Sequence, residues 1–175
     1  GYALRSVKPN AANMNNNWWQ TTSDSLPNDV SAISFWHYAK TETGVTAIYP
    51  QLLKLGNTGS YFAMDLNAST QYYIANGSGQ ISKWYVDGVE INSTSYVTTT
   101  LDAWHHHYFE FSFPPTELRW LGGWESSTAY AAIGKLDEVR MFSSPLSASQ
   151  IANLANFKPL IQIDLDKLKI IYTED

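Results

Sequence analysis

The stretch that decides the fold is Ala132-Ile133-Gly134-Lys135-Leu136-Asp137-Glu138-Val139-Arg140-Met141-Phe142, which continues through Ser143 to Ile151. Its first half alternates with period two and therefore predicts a strand. The expected faces are Leu136, Glu138, Arg140 and Phe142 on one side, and Asp137, Val139 and Met141 on the other. Pro145 ends this strand, and Ser147 is a typical helix N-cap. Ile151 and Leu154 follow at helical spacing, so we expect a short helix over Ala148 to Asn156.

The segment from Gly134 to Phe142 resembles the closing phrase of the laminin-G-like jelly-roll modules in the concanavalin A-like lectin/glucanase superfamily. Ala32-Ile33-Ser34-Phe35-Trp36-His37-Tyr38-Ala39-Lys40 resembles an early strand of that family, and Asp102-Ala103-Trp104-His105-His106 resembles its Trp-His-His strand. Tyr85-Val86-Asp87-Gly88 departs from the family order, because such a hairpin usually follows the Trp-His-His strand. The resemblance covers roughly residues 2 to 155. It implies a jelly roll that recognises sugars and often holds calcium in its rim loops.

The spacing of strands and turns independently predicts an all-β chain with two packed antiparallel sheets. Asp87-Gly88 is the strongest short hairpin signal, and the Asn-rich residues 10–25 are expected to form a loop. We expect residues 1–158 to form the jelly-roll domain. Pro159 separates residues 159–175, which alternate and are expected to be an extra edge strand or a connector to a neighbouring domain. Because the chain begins at Gly1, we expect an excised domain or a processed product.

Composition restricts the classes of partner and the compartment. The net charge is −5 and no run of Lys or Arg occurs, which argues against nucleic acid. No apolar run approaches the roughly 20 residues that span a bilayer. The chain has no cysteine, so disulfides cannot stabilise it. This composition favours a bacterial or viral protein, and we expect an extracellular, cell-surface or virion-surface location.

Catalytic signals are weak. A retaining glycosidase needs two carboxyl groups about 5 Å apart, and the sole acidic pair at i, i+2 is Asp164 and Asp166 in the tail. Asp137 and Glu138 are adjacent, so we expect them to point to opposite faces. His105 and His107 share a strand face and could bind zinc, although a packed framework role is favoured. We therefore expect no enzyme.

Calcium is the favoured cofactor, because rim loops of this kind of sandwich can supply Asp and Asn oxygens. The proposed ligands are Asp24, Asp29, Asp65 and Asp137, with Asn28 and Asn67 as further candidates. No EF-hand spacing is present, so such a site has to be assembled from distant loops. The alternative role for each Asp is a turn or helix cap. For Asp137 the alternative role is a side-chain hydrogen bond that ties a loop backbone to the closing strand.

The seven Trp exceed what a two-sheet core needs. Trp36 and Trp104 lie within alternating segments and are expected to be core residues. For Trp84 and Trp120 the sequence does not decide between core and surface. The proposed glycan contacts are Trp18, Trp19, Trp124 and Tyr130, since exposed rings stack on the apolar face of a sugar. The alternatives are rings folded over the end of the sandwich or buried between subunits.

These observations predict a non-catalytic carbohydrate-binding module of a larger surface protein, such as an adhesin or fibre. The expected partner is a glycan or cell-surface polysaccharide, with a homo-oligomer or neighbouring domains as further possibilities. A structural or oligomerisation domain without glycan binding is the alternative, and a hydrolase or lyase of the same fold is a remote one.

Overall fold

The computed structural model describes residues 19–21, 29–39, 51–55, 60–65, 71–75, 79–92, 96–115, 118–120 and 135–157. These residues contain eleven strands and one helix. In chain order the elements are β1 (Trp19–Thr21), β2 (Ala32–Ala39), β3 (Gln51–Leu55), β4 (Ser60–Asp65), β5 (Gln71–Ala75), β6 (Ile81–Val86), β7 (Val89–Ile91), β8 (Val97–Thr98), β9 (Ala103–Phe111), β10 (Leu118–Trp120), β11 (Lys135–Phe142) and α1 (Ala148–Asn156). The expectation of an all-β chain with one short helix is confirmed.

The strands form two antiparallel sheets, as expected. The six-stranded sheet has the order β1-β10-β3-β4-β5-β8, and the five-stranded sheet has the order β11-β2-β9-β6-β7. In the five-stranded sheet, β2 and β9 pair over eight consecutive residues, from Ala32 with Glu110 to Ala39 with Ala103. Because side chains alternate along a strand, this register divides the residues of both strands between an inner and an outer face.

Aromatic rings join the two sheets. Phe62 on β4 is fully buried, and its ring centroid lies 5.1 Å from that of Phe109 and 6.1 Å from that of Phe35 in the opposite sheet. Trp84 on β6 packs edge-on against Phe62 at 5.6 Å. The inner faces of the two sheets therefore share one aromatic core, which is the packing of a β-sandwich.

The inner face also carries polar rings. Nδ1 of His37 lies 2.6 Å from the hydroxyl of Tyr72, and Nε1 of Trp84 donates to Nδ1 of His107 at 3.4 Å. Burial shifts the pKa of His107 well below its usual value, and the nearby histidines add to this shift. His107 is therefore neutral at pH 7 and packs as an aromatic ring in the core.

The predicted hairpin and helix are confirmed. Asp87 and Gly88 both have positive φ, at 50° and 83°, and they connect β6 to β7, as expected for an Asp-Gly turn. Ser147 caps α1 in a capping box with Gln150. Ile151 is buried in a second apolar cluster with Tyr85 and other residues on the outer face of the five-stranded sheet. The helix therefore packs on the outside of the sandwich.

The predicted alternation of β11 is wrong beyond Asp137. A bulge places Glu138 and Val139 opposite the single residue between Trp36 and Ser34 of β2, and Glu138 adopts φ 51°. A bulge inserts one residue and therefore reverses the faces that follow it. The inner face of β11 consists of Leu136, Val139 and Met141, and the outer face consists of Asp137, Arg140 and Phe142.

The expectation of a loop throughout residues 10–25 is wrong at Trp19–Thr21, which form β1 and pair with β10. Trp and Thr favour extended backbone, and β10 supplies a pairing partner that the sequence does not reveal. Residues 1–18 and 158–175 lie outside the described residues, and with them the predicted first strand and the predicted tail strand. Within the described ranges, α1 is too short to cross a membrane, and no other helix occurs there.

The contacts of Phe62 predict that Phe62→Ala lowers the free energy of unfolding by about 3–5 kcal/mol, because it leaves a cavity between the sheets. Urea denaturation followed by circular dichroism measures this loss. Phe113→Ala is the control, since Phe113 is 46% exposed, and we expect a change within about 0.5 kcal/mol. A loss below about 1 kcal/mol for Phe62→Ala would contradict the packing of the sheets around this ring.

Candidate ligand-binding face

The candidate site lies on the outer face of the five-stranded sheet, where three aromatic pairs follow one another. Each pair consists of cross-strand partners in the sheet register. The pairs are Tyr85 with Tyr108, Trp36 with His106, and Tyr38 with Trp104. We call this set of six residues the outer ring row.

The first pair of the outer ring row is covered by the protein itself. The rings of Tyr85 and Tyr108 lie 5.8 Å apart at 73°, and both residues are buried in the cluster that contains Ile151 of α1. The Tyr85 hydroxyl donates to Oε2 of Glu90 at 2.8 Å, and the Tyr108 hydroxyl accepts from the backbone N–H of Leu146 at 2.9 Å. This end of the row is therefore filled and satisfied in its hydrogen bonds.

The second pair forms the floor of a cleft beside the end of α1. The Trp36 and His106 rings lie 5.3 Å apart and are 3% and 1% exposed. The cleft is shallow and opens to solvent. Its lining consists of Ser34, Trp36, His106, Glu138, Arg140, Leu154 and Phe157.

His106 is neutral in this cleft. Burial is the main reason that its pKa falls to about 4; Asp87 opposes this shift, and Arg140 adds to it. Its Nδ1 is buried, and the described part of the chain provides no hydrogen-bond partner for it. A neutral imidazole offers one donor and one acceptor, so His106 adds a polar edge to the floor without a charge.

The rim of the cleft is charged and comes from the β11 bulge. Nη2 of Arg140 lies 2.6 Å from Oε2 of Glu138, and both side chains are about 40% exposed. The backbone N–H of Glu138 donates to Oδ1 of Asp137 at 2.8 Å. Asp137 and Glu138 therefore both lie on the outer side, and the expectation that they point to opposite faces is wrong because of the bulge.

The third pair is open. Tyr38 and Trp104 are partly exposed, and their rings meet edge to face at 5.3 Å. Nζ of Lys135 lies 5.4 Å from the centre of the Tyr38 ring, which is the geometry of a cation–π contact. We call these three residues the open platform. It presents a cation and two aromatic rings on rigid strands.

Asp87 fixes the strand that carries the row. Its Oδ2 lies 2.9 Å from Nδ1 of His105, and its Oδ1 accepts from the backbone N–H of His106 at 2.8 Å. On the other side of the ring, Nε2 of His105 lies 3.1 Å from the carbonyl oxygen of Thr100. His105 is thus held between two elements, and β9 is tied to the Asp-Gly turn.

The aromatic residues predicted to contact a glycan are only partly placed. Trp18, Trp124 and Tyr130 lie outside the described residues. Trp19 lies in β1 at an edge of the six-stranded sheet, opposite Trp120. These glycan contacts stay predictions.

The candidate calcium ligands are likewise only partly placed. Asp24 lies outside the described residues, and for Asp65 the backbone of β4 alone is described. Asp29 precedes β2, while Asp137 pairs with Trp36 four residues into that strand. At about 3.3 Å per residue they are roughly 13 Å apart or more, so they do not share one ion. Within the described ranges no three His, Asp or Glu residues form a metal-ligating group, and calcium stays a prediction.

Sequence reasoning missed the outer ring row. Trp104 was expected in the core, but it is partly exposed on the outer face, and Trp36 is buried on that face rather than between the sheets. One signal was present: residues 32–38 are apolar or aromatic at nearly every position. A strand with apolar side chains on both faces is covered on both faces or binds something on the second.

No family model matches the chain, and no curated protein matches it at a significant level.

The bonds of Asp87 predict a pH-dependent contribution to stability. Burial raises the pKa of Asp87, but the hydrogen bonds from His105 and from the backbone N–H of His106, with the electrostatic effect of both residues, lower the pKa by more, so that the net shift is downward. A lowered pKa means that the carboxylate stabilises the fold above the unfolded value of about 3.9 and loses this effect as the pH falls through the folded value. Asp87→Asn keeps the turn and removes the charge. We expect a loss at pH 7 of no more than about 1 kcal/mol, since the side chain is 47% exposed.

Thermal and urea unfolding at pH 7, 5 and 3 measure this effect. The difference between the wild type and Asp87→Asn should shrink as the pH falls towards 3. Asp87→Ala should cost more than Asp87→Asn at pH 7, because Ala also loses the acceptor and disfavours φ 50°. A difference between the wild type and Asp87→Asn that stays constant from pH 7 to pH 3 would contradict a role for the Asp87 charge.

Proposed function

We propose that this chain is a non-catalytic carbohydrate-binding module of a larger surface-exposed bacterial or viral protein. The carrying observation is that aromatic rings occupy both faces of the five-stranded sheet. The inner rings, such as Phe35 and Phe109, fill the core. The outer pair of Tyr38 and Trp104 is not part of either core cluster and is partly exposed. Rings held open on a rigid strand are suited to stack on a sugar.

The proposed fold is a jelly roll of the laminin-G-like kind. The three phrases that resemble this family fall on β2, β9 and β11, which are neighbours in the five-stranded sheet. Segments that are far apart in the chain thus meet in one sheet. This adjacency supports the interpretation that all three phrases belong to the same kind of fold. Calcium at a rim belongs to the same proposal, with Asp24, Asp65 and Asp137 as the first ligands to test.

A structural or oligomerisation role is the second candidate, and exposed apolar side chains favour it. Phe157 after α1 is 71% exposed, and Val89 on the edge strand β7 is 63% exposed. Edge strands with exposed apolar residues can pair with another copy. This role predicts a stable dimer or trimer that binds no glycan.

A broad glycan array tests the proposal. The purified chain is applied once with calcium and once with EDTA, and the Trp18→Ala and Trp124→Ala variants are applied beside it. Carbohydrate binding predicts retention of the wild type on a defined set of glycans, and weaker retention of Trp18→Ala or Trp124→Ala would indicate a glycan contact at that residue. Loss of retention in EDTA supports a calcium site.

Light scattering on the same samples distinguishes the structural or oligomerisation role from carbohydrate binding. An oligomer that is retained on no glycan in either buffer would contradict carbohydrate binding and favour the structural role. Mass spectrometry of the array eluate detects cleaved glycan, which would contradict the non-catalytic assignment. Val89→Ser on the edge strand β7 is the variant that should weaken an oligomer without changing glycan retention.

A further inference from the structure

We propose that the open platform of Tyr38, Trp104 and Lys135 is a subsite for an acidic sugar, one whose ring carries a carboxylate. This inference rests on the proposed function and specifies the class of sugar and the residues that contact it. Trp18, Trp19, Trp124 and Tyr130 are not required for it.

The first argument is the contrast between the two ends of the outer ring row. Tyr85 and Tyr108 have nearly the same edge-to-face geometry as the open pair, but there the protein covers the rings and bonds both hydroxyls. Tyr38 and Trp104 lie at the opposite end of the β2–β9 ladder from Tyr108 and belong to neither apolar cluster. The same arrangement is thus closed at one end and open to a ligand at the other.

The second argument is hydrogen bonding. The platform contains three donor groups: the Tyr38 hydroxyl, Nε1–H of Trp104 and the Lys135 ammonium. Among the described residues none of the three has a hydrogen-bond acceptor, and none is a buried atom that lacks a partner. All three residues are partly buried, and strand pairing fixes their backbones, with Lys135 directly opposite Tyr38. A ligand rich in acceptor oxygens would complement this surface.

The third argument is charge. Two other cations on this face are already paired: Lys83 lies 3.3 Å from Glu110, and Arg140 lies 2.6 Å from Glu138. Lys135 has no carboxylate partner in the described part of the chain, although the whole chain carries a net charge of −5. Asp137 lies two residues further along β11. Its Oδ1 accepts a hydrogen bond from the backbone N–H of Glu138, and its carboxylate forms no ion pair with Lys135. An unpaired, oriented ammonium is complementary to a carboxylate on the ligand.

These features select a ligand with both an apolar face and a carboxylate. The ring of Trp104 supplies the stacking surface, and Lys135 supplies the charge-assisted hydrogen bond. A pyranose that carries a carboxylate combines both in one residue, whereas a neutral sugar uses the rings alone. The platform should therefore discriminate between an acidic sugar and its neutral counterpart.

Isothermal titration calorimetry with matched pairs of sugars tests this inference. One pair is an α-1,4-linked galacturonic acid trimer and its carboxyl-reduced form, and the other is sialyllactose and lactose. The two pairs distinguish uronic acids from sialic acids as the source of the carboxylate. We expect the wild type to prefer the acidic member of at least one pair by about tenfold, the size of one charge-assisted hydrogen bond.

The variants are Lys135→Met, Tyr38→Phe and Trp104→Ala, with Lys83→Met as the matched control on the same face. Lys135→Met should abolish the preference for the acidic sugar by weakening binding of the acidic sugar much more than binding of the neutral one, whereas Lys83→Met should change neither. Trp104→Ala should weaken both sugars, and Tyr38→Phe should weaken binding less. Thermal unfolding shows whether each variant is folded. If Trp104→Ala does not fold, the two milder variants, Lys135→Met and Tyr38→Phe, decide the test.

A preference that survives in Lys135→Met, or equal binding of both sugars by the wild type, would overturn the inference. Glycan binding that depends on Trp18 or Trp124 and is unchanged in Trp104→Ala would overturn it while the proposed function stands. Absence of binding to every glycan of the array and to both pairs would overturn both.

Discussion

The pairing of β2 with β9 is the constraint on which the rest of the structure depends. Eight consecutive residue pairs join the two strands without a bulge, and every aromatic pair of the site contains a residue from one of them. A slip of one residue would exchange the faces, moving Phe35 and Phe109 out of the core and Trp36 and Tyr108 into it. The aromatic core enforces the register, because the inner positions of both strands contact Phe62 in the opposite sheet.

The two faces of this ladder have different physical roles. The inner face stabilises the sandwich and includes the neutral ring of His107, which packs 4.7 Å from Phe62. The outer face is covered by α1 at one end, and Tyr38 and Trp104 are partly exposed at the other. Where Gly88 meets the helix, an added Cβ would lie 3.3 Å from Cα of Ala152, so the Asp-Gly turn also allows the close approach of α1. The position of the helix therefore decides which rings remain available to a ligand.

Local sequence signals predicted the local elements well. The helix and its Ser147 cap, the Asp87-Gly88 turn and the two long strands β2 and β9 follow from short-range rules on capping, turn residues and periodicity. These rules depend on a few neighbouring residues, and here the tertiary structure agrees with them. The division into two sheets also followed from the number and spacing of the strands.

The remaining features depend on contacts between distant segments. The β11 bulge arises at Glu138, a residue that rarely adopts positive φ, so the sequence shows no glycine to mark it. Trp104 alternates like a core residue, and only the register with β2 places it on the outer face. The pairing of Trp19–Thr21 with β10 joins segments about a hundred residues apart, which no local pattern reveals. The candidate site was missed for the same reason, since its three aromatic pairs come from β2, β6 and β9.

The most direct test of the outer-face assignment is fluorine NMR of the chain labelled with 5-fluorotryptophan. Seven resonances are expected, one for each Trp, and single Trp→Phe variants assign them. On titration with a sugar retained on the array, the Trp104 resonance should shift while that of the buried Trp84 stays in place. A sugar that shifts the Trp84 resonance, or that binds while the Trp104 resonance is unchanged, would contradict the assignment of the open platform as the ligand-binding surface.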